Sequence, residues 1–215
     1  MEIIKVEKGK LTIVEGKTAA GKTMALLVDA ENYIHFKMGV LMFTLEQPSY
    51  KLYNKFFDKV KAKKEHGECM HIVDSAFSLK ALESVIEDVK EGIDVIYVDS
   101  IQNIIVNEEV ENKYQYITSR LTALAKKMNL PIVITSQVSL ENDSIVNSNT
   151  DKVIEEIKSL FASKEEYESA IKHIVLRDFS GFESYDYFSS NVSLVDNENN
   201  VTKYSTFNLS DYFNN

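Results

Sequence analysis

Eight residues, Gly16-Lys17-Thr18-Ala19-Ala20-Gly21-Lys22-Thr23, limit what this 215-residue chain can fold into more than any other feature. They satisfy Gly-x4-Gly-Lys-Thr. The apolar run Leu11–Glu15 leads in and an amphipathic segment, Lys22–Lys37, leads out, so the motif sits between an expected strand and an expected helix. That arrangement turns successive backbone N–H groups toward one point, where the helix N-terminus adds its partial positive charge and phosphate oxygens are held. Lys22 then reaches the β- and γ-phosphates, and Thr23 offers a hydroxyl to Mg²⁺. ATP and Mg²⁺ are therefore the expected ligands. A chance turn is the competing reading, and seven glycines in the whole chain make it a weak one.

The rest of the chain reads as one α/β domain over residues 1–215. Strand-length apolar runs fall at Leu11–Glu15, Val40–Leu45, Met70–Val73, Val95–Val98, Ile132–Thr135 and His173–Leu176. Several are nearly continuous in apolar character, as strands covered on both faces tend to be. Helical periodicity fills the gaps at Lys22–Lys37, Ser49–Lys64, Leu79–Glu91, Tyr114–Met128 and Thr150–Ile171. This alternation predicts a mostly parallel sheet flanked by helices. Tyr185–Val195 and Val201–Phe207, either side of the turn-rich Asp196–Asn200, predict a C-terminal antiparallel hairpin. The basic run Lys55–Lys64 fits a solvated helix face better than a binding patch. The tail from Phe207 to Phe213 is expected to pack along the core or fray.

Composition excludes more than it assigns. No apolar run approaches the roughly 20 residues of a membrane helix, and the N-terminus lacks the pattern of a signal peptide. Cys69 is the single cysteine and has no internal partner for a disulfide. These features predict a cytoplasmic protein. A net charge of −9 argues against a broad basic surface for coating nucleic acid. Only two arginines, Arg120 and Arg177, stand beside 22 lysines, so any role for a guanidinium has two candidates.

Four further strand ends carry candidate chemistry. Val95-Ile96-Tyr97-Val98-Asp99 puts a carboxylate at the end of a buried strand, where Asp99 can hold Mg²⁺; Asp94 reads as a boundary residue. Glu46, after Val40–Leu45, either orients the attacking water or merely favours the N-terminus of the next helix. Gln137 either senses the γ-phosphate or is a plain polar strand end. Arg177 either reaches a neighbouring subunit's nucleotide or is a surface arginine.

Together these residues resemble the RecA-like core, above all the ATPase domain of DnaB-type replicative helicases. The lead-in Gly9–Gly16, Thr44-Leu45-Glu46, Val98-Asp99-Ser100-Ile101-Gln102, and Ile117–Val133 with Ser136-Gln137 carry the resemblance over nearly the whole chain. The resemblance implies a motor of replication or recombination, a hexameric ring or a filament with ATP at subunit interfaces. It assigns catalytic roles to Lys22, Glu46, Gln137 and, in trans, Arg177, with Thr23 and Asp99 at the metal. It also implies replication or recombination proteins as partners, and single-stranded DNA. The departures bear on the DNA. The family's N-terminal domain and linker helix do not precede this core, and the lysine of its Lys-x-Arg pair is Val175 here. The segment Asn107–Lys113 is acidic, and Ser139–Thr150 has no lysine or arginine. A RecA-like regulator or recombination accessory ATPase, gating assembly with little unwinding, is the alternative.

Overall fold

The computed structural model describes residues 4, 6–17, 21–60, 69–138, 163, 165, 169, 171–178, 189–190, 192–195, 201–203 and 207–208. Its elements run β1 (Leu11–Lys17), α1 (Lys22–His35), β2 (Val40–Thr44), α2 (Ser49–Val60), β3 (Met70–Val73), α3 (Leu79–Val89), β4 (Val95–Asp99), a short 3₁₀ turn (Ile101–Asn103), α4 (Lys113–Met128), β5 (Ile132–Val138) and β6 (Ile171–Asp178). After them come β7 (Ser189–Ser190), β8 (Val192–Val195), β9 (Val201–Lys203) and β10 (Phe207–Asn208).

One sheet has the order β3-β2-β4-β5-β1-β6-β8-β9. From β3 to β6 every pairing is parallel. β8 and β9 close the far edge in antiparallel pairing, so the expected α/β architecture and its antiparallel end are both present. Of the expected hairpin, Val192–Val195 and Val201–Lys203 form this pair, while 185–188, 191 and 204–206 lie outside the described residues. β7 and β10 form a separate two-stranded pair. Ile171, expected at the end of a helix, instead starts β6 beside Leu11 of β1, because an apolar residue in register with a buried strand gains most by joining it. The remainder of the expected Thr150–Ile171 helix, apart from three isolated positions, lies outside the described residues, as do Ser139–Thr150, the Asp196–Asn200 turn, 61–68 and most of the tail.

Period-two alternation builds two cores, one on each face of the sheet. Leu11, Ile13, Leu41, Phe43, Ile96, Val98, Ile132 and Ile134 pack with α3 and α4 residues such as Leu82, Ile86, Ile117 and Leu121. The residues between them in sequence, Val14, Val40, Met42, Val95, Tyr97 and Val133, pack with Leu26, Leu27, Ile34, Leu52 and Phe56 of α1 and α2. With both faces covered, β2 and β4 are buried along their whole length, which is why they read as unbroken apolar runs.

Local chemistry sets the helix ends. The Ser78 hydroxyl accepts from the Ala81 N–H at the start of α3, and the Asn112 side chain accepts from the Gln115 N–H at the start of α4. Asn129, at φ 53°, ends α4 in the left-handed conformation. Asp74, just past β3, accepts from the Ser49 N–H at 2.7 Å and caps α2 from a neighbouring loop. Asp94 is the boundary residue expected of it: its carboxylate accepts from the Gly39 N–H, and its own N–H donates to the Gly39 carbonyl.

Candidate functional site

Because β1, β2, β4, β5 and β6 are parallel, their carboxyl ends lie along one edge of the sheet, and the residues after them share it. Gly16 stands in register with Gln137 and with Leu176, and Thr44 with Asp99. The glycine-rich loop, Glu46, Asp99, Gln137 and Arg177 are thus brought to a common edge by topology alone.

The loop leaves β1 and enters α1 through Gly21, whose φ of 83° is open to glycine and strained for other residues. Thr18, Ala19 and Ala20 lie outside the described residues, as do the side chains of Lys17 and Arg177. Lys22 is only 9% exposed, and its ammonium donates to the Gly16 carbonyl at 2.8 Å, turned back into the loop. Burial pulls its pKa below the ordinary lysine value, against the opposing pull of Glu46, Asp99 and Glu15.

Asp99 is 1% exposed, and both its oxygens are engaged. Oδ2 accepts from the Thr23 hydroxyl at 2.6 Å, joining the first turn of α1 to the end of β4. Oδ1 accepts from the fully buried Thr135 hydroxyl of β5, also at 2.6 Å. Glu46 is exposed, one residue beyond the buried Leu45. Its Oε1 accepts from the buried Ser100 hydroxyl at 2.7 Å. One layer further, the Gln102 amide donates to the Ser136 hydroxyl at 3.3 Å and the Gln137 carbonyl at 3.2 Å. Lys113, the first residue of α4, donates to the Gln102 carbonyl at 3.0 Å. The turn after β4 therefore touches the end of β5 and the start of α4.

The donor set fits Mg²⁺. A hydroxyl and a carboxylate lie 2.6 Å apart at the loop, and the negative charges of Glu46, Asp99 and Glu15 act on the Lys22 ammonium. Among the described residues no group of three or more His, Cys, Asp or Glu could hold a metal. Mg²⁺ commonly takes one or two protein ligands and completes its shell with water and substrate phosphates, so the Thr23 hydroxyl and the Asp99 carboxylate are a sufficient protein share.

Sequence reasoning named Lys22, Thr23, Asp99 and Glu46 as candidates, and the structure brings all four near one another. It gave no role to Ser100, Thr135 or Glu15. The available signal was polarity: Thr135 breaks the apolar run Ile132–Ile134, and Glu15 is a carboxylate at the end of a buried strand, only 5% exposed. Arg120, one of the two arginines, is taken: its guanidinium makes a two-pronged contact with Glu83 on α3, at 2.8 and 2.6 Å.

No protein-family model matches the sequence, and no curated protein matches it. Solved structures do. One, titled as an ATPase domain, superposes with a TM-score of 0.64 at 16% identity, over 92% of this chain and 80% of that one. A second, titled "The Structure Of A DnaB-Like Replicative Helicase And Its Interactions With Primase", superposes with a TM-score of 0.63 at 15% identity, over 92% of this chain and 56% of that one. The fold is that of a RecA-like helicase ATPase domain, the fold that the sequence resemblance implies.

Proposed function

We propose that this domain hydrolyses ATP as a DnaB/RecA-like motor in DNA replication or recombination, with nucleotide at the contact between subunits. The observation that carries the reading is the 2.6 Å contact between Thr23 and Asp99, since it joins the phosphate-binding turn to the carboxylate expected at the metal.

In this reading the backbone from Gly16 to Gly21 cradles the phosphates and Lys22 swings from the Gly16 carbonyl to the β- and γ-phosphates. Thr23 and Asp99 hold Mg²⁺, which when bound neutralises charge on the phosphate oxygens. Glu46 orients the attacking water and takes its proton. Gln137, near the end of β5, is the residue assigned to the γ-phosphate, and Gln102 ties its backbone to the turn after Asp99. With Arg120 held by Glu83, Arg177 is the arginine left to serve a neighbouring subunit. The likeness to a DnaB-like replicative helicase supports a ring or filament, and replication partners.

The regulator reading keeps one specific support. The segment after Ile104 carries Glu108, Glu109 and Glu111 with no basic residue before Lys113, a poor surface for phosphates. The two readings separate on ATP hydrolysis measured with and without single-stranded DNA. The motor reading expects stimulation and salt-dependent binding, and absence of both leaves the regulator. Lys22→Ala and Arg177→Ala are each expected to be inactive, and mixing them is expected to restore part of the rate. No recovery on mixing sinks catalysis in trans.

A further inference from the structure

Glu46 is the exposed member of the site, and an exposed carboxylate on a loop ordinarily samples several rotamers. Here its surroundings restrict it at three points. The Leu45 N–H donates to the Asp99 carbonyl at 2.6 Å, extending the β2–β4 pairing one residue past the strand. The Thr44 hydroxyl donates to the Gln47 carbonyl at 2.8 Å and closes the turn that carries Glu46. The Ser100 hydroxyl, with no exposed surface, donates to Glu46 Oε1 at 2.7 Å. The first two contacts fix the backbone. Only the third fixes the carboxylate.

From this geometry we infer that Ser100 is a positioning residue for hydrolysis: it holds the Glu46 carboxylate in register with Asp99, so that the metal-holding and water-orienting carboxylates form one rigid unit. The inference rests on the hydrolytic reading of Glu46 above. Ser100 follows Asp99 directly, and Glu46 follows the residue hydrogen-bonded to Asp99, so any shift of β4 carries both carboxylates together. A hydroxyl donor also leaves the second carboxylate oxygen for a water. Its effect belongs to the chemical step, because the group it holds is Glu46, the carboxylate assigned to the attacking water.

Ser100→Ala removes the donor and little volume. It is expected to lower kcat about tenfold, the scale of one hydrogen bond to a charged group, with KM and the affinity for a fluorescent ATP analogue within about twofold of the parent. Glu46→Asp shortens the side chain out of reach of Ser100, and in that background Ser100→Ala is expected to change kcat less than twofold. An equal loss in both backgrounds, or an unchanged kcat in Ser100→Ala, overturns the inference. A loss mainly in KM does so as well. If Ser100→Ala does not fold, Ser100→Cys keeps the volume with a weaker donor and is expected to lose about threefold in kcat, an undiminished kcat again being fatal to it. Glu46→Gln separates the two levels. Full hydrolysis in that variant removes the hydrolytic reading itself, whereas an inactive Glu46→Gln beside an unimpaired Ser100→Ala removes only the role of Ser100.

Discussion

Lys22 illustrates how a buried ammonium strains the fold that holds it. Its ammonium is buried and its pKa depressed, chiefly by desolvation, so the folded state binds that proton less readily than the unfolded chain. A lysine depressed in this way costs stability while it is charged, and the cost fades as pH rises through the folded value toward the ordinary lysine value. Lys22→Met is therefore expected to raise the melting temperature of the nucleotide-free domain by roughly 2 °C near neutral pH. The same substitution is expected to abolish ATP binding, and calorimetry with and without nucleotide reads both effects. An unchanged or lower melting temperature contradicts the electrostatic argument. Thr135 acts on the other side of the site. Thr135→Val keeps the shape and removes the donor to Asp99 Oδ1. It is expected to weaken Mg²⁺-dependent nucleotide binding about tenfold while leaving Mg²⁺-free binding within about twofold. Equal weakening in both titrations would show that Thr135 does not act through Asp99.

Between elements, buried polar contacts set how the P-loop helix meets the sheet. Asp29 of α1 is fully buried; it accepts from the Tyr97 hydroxyl of β4 at 2.7 Å and from the Ile4 N–H at 3.1 Å. Burial first, and Asp29 second, push the Tyr97 pKa well above its ordinary value, so this phenol remains a donor over the working range. Tyr97→Phe removes this buried hydrogen bond to a carboxylate and is expected to cost about 1–3 kcal/mol in denaturant unfolding. A loss below about 0.5 kcal/mol would mean that Asp29 finds another donor. At the entry to β2, a Cβ on Gly39 would stand 1.7 Å from the Gly92 carbonyl oxygen, a backbone atom that cannot step aside. Gly39→Ala is accordingly expected to destabilise by about 3 kcal/mol or more, against about 1 kcal/mol or less for an exposed helical position such as Ser84→Gly. A Gly39→Ala protein as stable as the parent would count against the close approach of these two turns.

Across the whole molecule, charge and topology point in different directions. The fold is a helicase ATPase fold, yet the chain carries a net charge of −9. Several surface cations are also spent locally: Lys80 lies 2.9 Å from Glu108, Lys127 2.7 Å from Glu87, and Arg120 2.6 Å from Glu83. Such exposed pairs add little stability, but they lower the positive potential that a polyanion would meet. If the domain binds single-stranded DNA, few phosphates are neutralised. The slope of log K against log salt is then expected to be shallow, roughly −2 or weaker, in a fluorescence titration. A slope of roughly −5 or steeper would require a basic surface built across several subunits.

How much of this was legible without coordinates depends on the range of the forces involved. Gly16–Thr23 is local chemistry: a strand, a loop with glycine at Gly21 and a helix, each readable from neighbouring residues, and the parallel sheet followed from the alternation of apolar runs with helical periods. Asp99 and Glu46 were visible as carboxylates at strand ends because parallel strands must end on one edge. The strand order decided which of them meet. Ser100 next to Glu46, Thr135 under Asp99, and Tyr97 against Asp29 are hydrogen bonds between residues 36 to 68 positions apart, set by which strands became neighbours. Ile171 likewise joined β6 because Leu11 offered a buried edge. The sequence by itself determined that a glycine-rich loop and the carboxylates of Asp99 and Glu46 meet at one end of a parallel sheet. Only the tertiary structure decided which hydroxyls hold those carboxylates, since a side-chain hydrogen bond depends on ångström-scale placement that no local pattern encodes.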